Sequence, residues 1–403
     1  MRSGTRGRRM VERKPLYSIV RSISTGLNPR QNFVLNEDKA NYYYVTVKEI
    51  TTNKVIFSDS TDKITEAAKR IINNRSKLAI GDILFSGIGT IGKVAYVDIP
   101  TNNWDCSESV FLIKPNETVK GKYLSYILSS DVAKQQYEKG SAGAIMKGVR
   151  KSTLENLLIP LPSLSEQERI VGILDTFTSS IENLKAQISL RRKQYEHYRD
   201  KLLDLEGKPG VEMKTLGEIG TFIRGKRFVR TDIVEEGVPC LHYGDFYTTY
   251  GLSVKEVKTF LTAEKAAKLR FAEKNDVVIV AAGENNIEIG VGVVWFGEKP
   301  AAVHDACYIF KHKQNPMYIS YYLRSNGYHQ QIKKDVSSAK ICSISSVGLG
   351  RAVLPLPSLE EQSRIVSILD EFEASIKNLE AQLVAREKQY EYYREKLLTF
   401  ERE

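Results

Sequence analysis

The sequence has little sulfur and no long apolar run. Its four cysteines, Cys106, Cys240, Cys307 and Cys342, are scattered over 403 residues, with no CxxC pair and no histidine at ligand spacing. That argues against a disulfide framework or a zinc site and fits a reducing, cytoplasmic setting. No apolar stretch reaches the roughly eighteen residues a helical membrane span needs. The arginines near the amino terminus have no apolar segment behind them, so they do not read as a secretory signal.

Catalytic signatures are missing as well. There is no GxxxxGK[ST] phosphate loop, no HExxH and no GxSxG. The segment Gly87-Ile88-Gly89-Thr90-Ile91-Gly92 matches GxGxxG, but a dinucleotide site needs a helix next, whose amino end meets the pyrophosphate. Here Val94-Ala95-Tyr96-Val97 follows and reads as a strand, so the glycines are expected to form a β-turn. A kinase would also need VAIK, HRD and DFG motifs, which are absent. The five histidines, His197, His242, His304, His312 and His329, show no ligand spacing and read as surface or internally satisfied residues. Asn28-Pro29 and Asn315-Pro316 lack the second proline of the Asn-Pro-Pro-Tyr run with which amino-methyltransferases hold a flipped base. No catalytic residue, metal ligand or bound cofactor is therefore expected in this chain.

What the sequence does have is basic charge and repetition. Lysine and arginine number 59 against 49 acids, a net charge of +10, within an ordinary globular composition of 42% apolar and 27% charged residues. The excess suits a polyanionic partner. Part of it lies in Arg2, Arg6, Arg8, Arg9, Arg13 and Lys14, where a basic extension over 1–10 accounts for most of it.

The repeat covers the whole chain. Ile159 to Leu203 and Leu354 to Leu398 align without a gap at an offset of 195 (355 − 160 at the second proline), and about two-thirds of the positions are identical. Val11-Glu12 and Val211-Glu212 mark matching starts. Each repeat opens with an extended Pro-Leu-Pro and a capping-box pattern, Ser163 with Glu166 and Ser358 with Glu361. Apolar residues then step by four and three. The first seam is Ile170, Leu174, Phe177, Ile181, Leu184 and Ile188, then Arg191; the second is Ile365, Leu369, Phe372, Ile376, Leu379 and Leu383, then Arg386. Both continue in tyrosine and leucine. This heptad pattern predicts two long helices, each about forty residues and roughly 60 Å. Pairing with each other as an antiparallel coiled coil with pseudo-twofold symmetry, or pairing across two chains, would satisfy it. A charge on the seam at the same step in both helices suggests a register device.

Between these markers the halves diverge but share a plan. Gly81–Phe85 and Lys93–Val97 read as strands, as do Asn275–Val280 and Val291–Phe296; helices are expected over Lys122–Lys139 and Pro316–Lys334. The expected fold is mixed α/β (α+β), with limits at 1–10 for the extension, 11–158 and 207–353 for the variable domains, and 159–206 and 354–403 for the helices. Glu206-Gly207-Lys208-Pro209-Gly210 separates the halves.

This layout resembles type I restriction-modification specificity subunits. So do the phrases Leu-Pro-Ser-Leu-x-Glu-Gln-x-Arg-Ile-Val-x-Ile-Leu-Asp and Arg-x-Lys-Gln-Tyr-Glu-x-Tyr-Arg-x-Lys-Leu-Leu, and Lys214-Thr215-Leu216-Gly217-Glu218-Ile219 resembles the opening of a target-recognition domain. Pro15-Leu16-Tyr17-Ser18 departs from that opening. The resemblance implies that each variable domain reads half of an asymmetric bipartite sequence in double-stranded DNA. It implies that the helices set the spacer and dock two methyltransferase subunits using S-adenosylmethionine. A restriction subunit using ATP and Mg is a further implied partner. Basic and aromatic loop residues are the candidate DNA contacts: Arg21, Arg30, Tyr43, Lys147, Arg150 and Lys151 in the first domain, and Arg224, Lys226, Arg227, Arg230, Tyr243 and Lys340 in the second. A coiled-coil scaffold that never reads DNA is the competing reading; it leaves the large, divergent domains unexplained.

Overall fold

The computed structural model describes residues 11–51, 53–139, 148–284, 286–338 and 341–400. The chain divides into two compact units, one of 1–184 with 382–403 and the other of 185–381, so each unit holds part of both long helices.

The first unit is built on a four-stranded antiparallel sheet in the order Val20–Thr25, Val110–Pro115, Ile83–Ser86, Val94–Tyr96. The two middle strands are almost wholly buried. A smaller sheet sets Tyr42–Val45 between Lys63–Ile64 and Trp104–Cys106, the latter pair running parallel. The glycine segment is the expected turn: Gly89 and Gly92 have φ of +82°, and the Ser86 hydroxyl donates to the Thr90 carbonyl at 2.6 Å. A strand, Val94–Tyr96, follows it in the chain, where a dinucleotide fingerprint would continue into a helix.

The second unit repeats this frame. Its five-stranded sheet runs Gly220–Arg224, Cys307–His312, Val277–Val280, Gly292–Trp295, Ser253–Val254. Beside it Val238–Leu241 pairs in parallel with Ala301–Val303. Where one helix was expected over Lys122–Lys139 there are two, Gly121–Leu128 and Asp131–Lys139. The same break separates Pro316–Tyr322 from Asn326–Ile332. Serine explains both: the buried hydroxyls of Ser130 and Ser325 donate to the carbonyls of Ile127 and Tyr322 at 2.7 and 2.8 Å. Ser325 also caps the following helix by accepting the Tyr328 amide.

The repeated phrase is explained by how each long helix is seated. A short strand at the start of each half, Arg13–Pro15 or Glu212–Thr215, pairs with the strand that leads into the helix. Gln167, fully buried, accepts the Lys120 amide at 2.8 Å and donates to the Pro162 carbonyl at 2.9 Å. Gln362 does the same with Asn315 and Pro357, at 3.0 and 2.9 Å. Tyr123 and Tyr318 donate to the carbonyls of Pro160 and Pro355. Tyr126 and Tyr321 donate to Asp175 and Asp370.

The long helices are Leu164–Leu203 and Leu359–Leu398. Ser163 and Ser358 accept the amides of Glu166 and Glu361, whose carboxylates hold Arg169 and Arg364 at 2.7 Å. In the first unit the start of the first helix packs on the end of the second, with the Phe177 and Tyr393 rings stacked 5.3 Å apart. In the second unit Arg192 pairs with Glu380 at 2.5 Å and Tyr198 stacks on Phe372 at 5.5 Å. Residue numbers rise on one helix as they fall on the other, which is the antiparallel arrangement. Ile170, Leu174, Ile181, Leu184, Ile188, Ile365, Leu369 and Ile376 are buried on the seam, while Phe177, Phe372, Leu379 and Leu383 are half-buried. The seam arginines lie on aromatic faces: Arg191 is 5.9 Å from the Phe372 ring centre and Arg386 is 5.8 Å from that of Phe177.

Candidate nucleic-acid interface

In each unit the two parallel strands end side by side, and the residues just beyond them lie past the strands themselves, with the Ser107 and His304 amides still donating to the Val45 and Leu241 carbonyls at 2.9 and 3.2 Å. The first unit places Thr46 and Ser107 there, after Val45 and Cys106. The second places His242 and His304 there, after Leu241 and Val303. A glycine crosses this point in both: a Cβ on Gly26 would run into the Cys106 carbonyl, and one on Gly225 into the His304 carbonyl. Only glycine lets the chain pass so close. In the second unit this brings the residues after Gly225 against the strand ends, fixed by Lys226 N–H donating to the Val303 carbonyl at 3.0 Å.

The side chains around that crossing form a cleft of about 420 Å³. Arg227, Arg230 and Tyr243, all singled out from the sequence, line it together with Phe228, His242 and His304. Phe228 is buried under His304, with ring centres 5.0 Å apart, and the two histidine rings lie 4.9 Å apart. Each histidine accepts a backbone N–H at Nδ1, from Gly244 at 3.3 Å and from Ala306 at 3.1 Å. Burial lowers the pKa of both rings, against the opposing pull of Asp245 on His242 and Asp305 on His304. Both are therefore neutral near pH 7.

Other sequence candidates fall elsewhere. Lys226 is exposed beside the cleft. Arg224 donates through Nε to the Asp305 carbonyl at 2.9 Å and lies 6.0 Å from the Tyr308 ring, which ties it to its own loop. In the first unit Arg30 is exposed on the short helix Pro29–Asn32, and Arg21 is an exposed strand residue 3.9 Å from Glu117. Arg150 and Lys151 open a short helix next to the glycine turn, where Val149 N–H donates to the Gly87 carbonyl; Lys151 lies 3.6 Å from Glu155. Tyr43 is half-buried: its ring stacks on Phe57 at 4.4 Å, and Lys63 lies 5.6 Å from its centre. It packs against the margin of a core cluster. Lys147 and Lys340 lie outside the described residues. Sequence reasoning missed His242 and His304, which come together only through the parallel strand pairing. Among the described residues no group of three His, Cys, Asp or Glu could hold a metal ion, and no helix is long and apolar enough to cross a membrane.

The family described as "Type I restriction modification DNA specificity domain" matches this chain twice, over residues 12–191 and 209–385. This chain belongs to the type I restriction-modification specificity subunits. It is similar to the EcoR124I/EcoR124II specificity subunit of Escherichia coli, 32% identical over 253 residues, which are 60% of this chain and 61% of that one. It is also similar to the type I restriction enzyme MjaIX specificity subunit of Methanocaldococcus jannaschii, 26% identical over 296 residues, 66% and 62% of the two chains. The specificity subunit thus spans about three-fifths of the length of each of these relatives. Among solved structures it resembles a chain from work on complex assembly and conformational transition of the type I R-M system, with TM-score 0.62, 19% identity and 99% of both chains covered. It also resembles the S subunit of a type I restriction-modification system from M. genitalium, with TM-score 0.54, 18% identity and 99% of both chains covered. These two likenesses concern the fold.

Proposed function

We propose that each variable domain of this specificity subunit reads one half of an asymmetric bipartite target in double-stranded DNA. The two long helices set the distance between the halves and offer the docking surface for two methyltransferase subunits. The observation that carries this reading is the pairing of one repeated backbone frame with unlike side chains at the matching strand ends: Thr46 and Ser107 in one unit, His242 and His304 in the other. Identical readers would select a palindrome; unlike readers select two different half-sites. The chain itself is non-catalytic in this reading. S-adenosylmethionine serves the methyltransferase, and ATP with Mg serves a restriction subunit where one joins. The basic residues around the cleft divide into phosphate contacts, for which exposed Lys226 is suited, and base contacts, for which Arg227 and Arg230 are suited.

The test is DNA binding by the full chain with its methyltransferase partner across a salt series. The expected result is co-purification of the partner and a linear fall of log affinity with log salt. Lys226→Ala should reduce the slope by about one. Salt-independent binding, or a partner that does not co-purify, contradicts the reading.

A further inference from the structure

Within the second unit's cleft, the backbone fixes the hydrogen-bonding sense of one side chain. The Nδ1 of His242 accepts the Gly244 N–H at 3.3 Å. A neutral imidazole that accepts at Nδ1 carries its proton on Nε2, so His242 is a donor there. The rings of Phe228 and His304, 6.1 and 4.9 Å away, hold its plane. Arg227 and Arg230 share the cleft wall, and a guanidinium can only donate. Of the acids nearby, Asp245 acts on His242 from outside the cleft lining, Asp305 Oδ1 is 3.2 Å from the other histidine, His304, and Glu284 is solvent-exposed. At the matching position of the first unit, the Thr46 hydroxyl donates to Glu49 at 2.8 Å within its own loop. The shared frame therefore does not require a histidine at this point.

We propose that His242 is a specificity-determining residue, presenting its Nε2–H, with Arg227, to the N7 and O6 edge of a guanine in the half-site read by the second unit. The assignment rests on the DNA-reading role proposed above. Guanine is the base whose major-groove edge offers two acceptors and no donor. Adenine and cytosine each turn an amino group into the groove, and against a wall of N–H donors that group is left facing another donor. Because the first unit has no counterpart to His242, the preference belongs to one half-site alone.

The full chain is expressed with its methyltransferase partner and the bipartite motif is read from adenine methylation. Duplexes carrying that motif are then made with each guanine in turn replaced by 7-deazaguanine, which has C–H in place of N7. One substitution, in one half-site, should weaken binding of the unaltered protein roughly ten- to a hundred-fold. His242→Phe keeps the ring packing and removes the donor. It should bind the normal and the substituted duplex alike, relax that one base pair and leave the other half-site unchanged. A scan without effect, or a His242→Phe protein that keeps both the motif and the 7-deazaguanine sensitivity, overturns the assignment while DNA reading stands. If no methylated motif depends on the chain, the DNA-reading role fails and the assignment fails with it. The scan uses unaltered protein, so it does not depend on the variant folding.

Discussion

Gln167 and Gln362 show how much of the repeated phrase serves to seat the helices. Each is fully buried and bonds one backbone amide and one backbone carbonyl. Gln362→Leu strands the Asn315 amide and the Pro357 carbonyl, and should cost about 1–3 kcal/mol. Urea unfolding of the variant should show a lower midpoint; an unchanged midpoint would mean that water replaces both bonds without loss. His312 gives a second residue-level expectation. Its Nδ1 accepts the Gln314 amide at 3.1 Å, and its buried Nε2 has no partner among the described residues. Burial lowers its pKa to about 4. An unfolded imidazole titrates near 6.5, so between roughly pH 6.5 and 4 the unfolded chain binds more protons. Stability from this residue is complete above that interval and is lost as the pH falls through it. Asp105 in the first unit has the opposite sign: burial raises its pKa to about 6, so its ionisation opposes folding as the pH rises. The clean measurement is therefore a difference. From pH 7 to 4.5 the native chain should lose roughly 2–3 kcal/mol more than His312→Leu; parallel pH curves would contradict this. Neither effect is visible in the sequence, because burial of a lone histidine or aspartate is decided by strands far apart in the chain.

At the scale of elements, the heptad seams were legible and the helix limits nearly so, because a sustained 3.6-residue period survives without tertiary context. The seam arginines were visible as an irregularity, but their partners were not. The structure supplies them: each arginine lies on the phenylalanine of the other helix, at matching places in the two units. A buried seam charge alone would cost stability, whereas a cation on a ring face contributes about 0.5–2 kcal/mol. A double-mutant cycle with Arg386→Met and Phe177→Leu separates these effects. A favourable coupling of at least about 0.5 kcal/mol is expected; zero coupling would make the arginine a tolerated charge rather than a register device. The variable regions were read less well. The continuous helices expected over Lys122–Lys139 and Pro316–Lys334 are broken in both units at a serine. Apolar periodicity runs through that break, and only the side-chain hydrogen bonds of Ser130 and Ser325 reveal it.

For the whole molecule, the plan is legible in the sequence and the surface at the strand ends is not. Repetition at a fixed offset exposes two copies of one frame, and divergence between the copies points to two ligands. Which side chains meet at the strand ends depends on parallel pairing between segments far apart in sequence. Arg227, Arg230 and Tyr243 were therefore found as basic or aromatic loop residues, while His242 and His304 passed as isolated histidines. Tyr43, chosen by the same reasoning, turned out to be packed on Phe57. In the proposed function the two unlike units together specify one asymmetric bipartite sequence. Its most direct test is single-molecule sequencing of adenine methylation in cells with and without this chain, with the methyltransferase expressed in both. The expected result is one motif of two different half-sites around a fixed spacer, present only with the chain. A palindromic motif, or a methylation pattern unchanged by its loss, would contradict it.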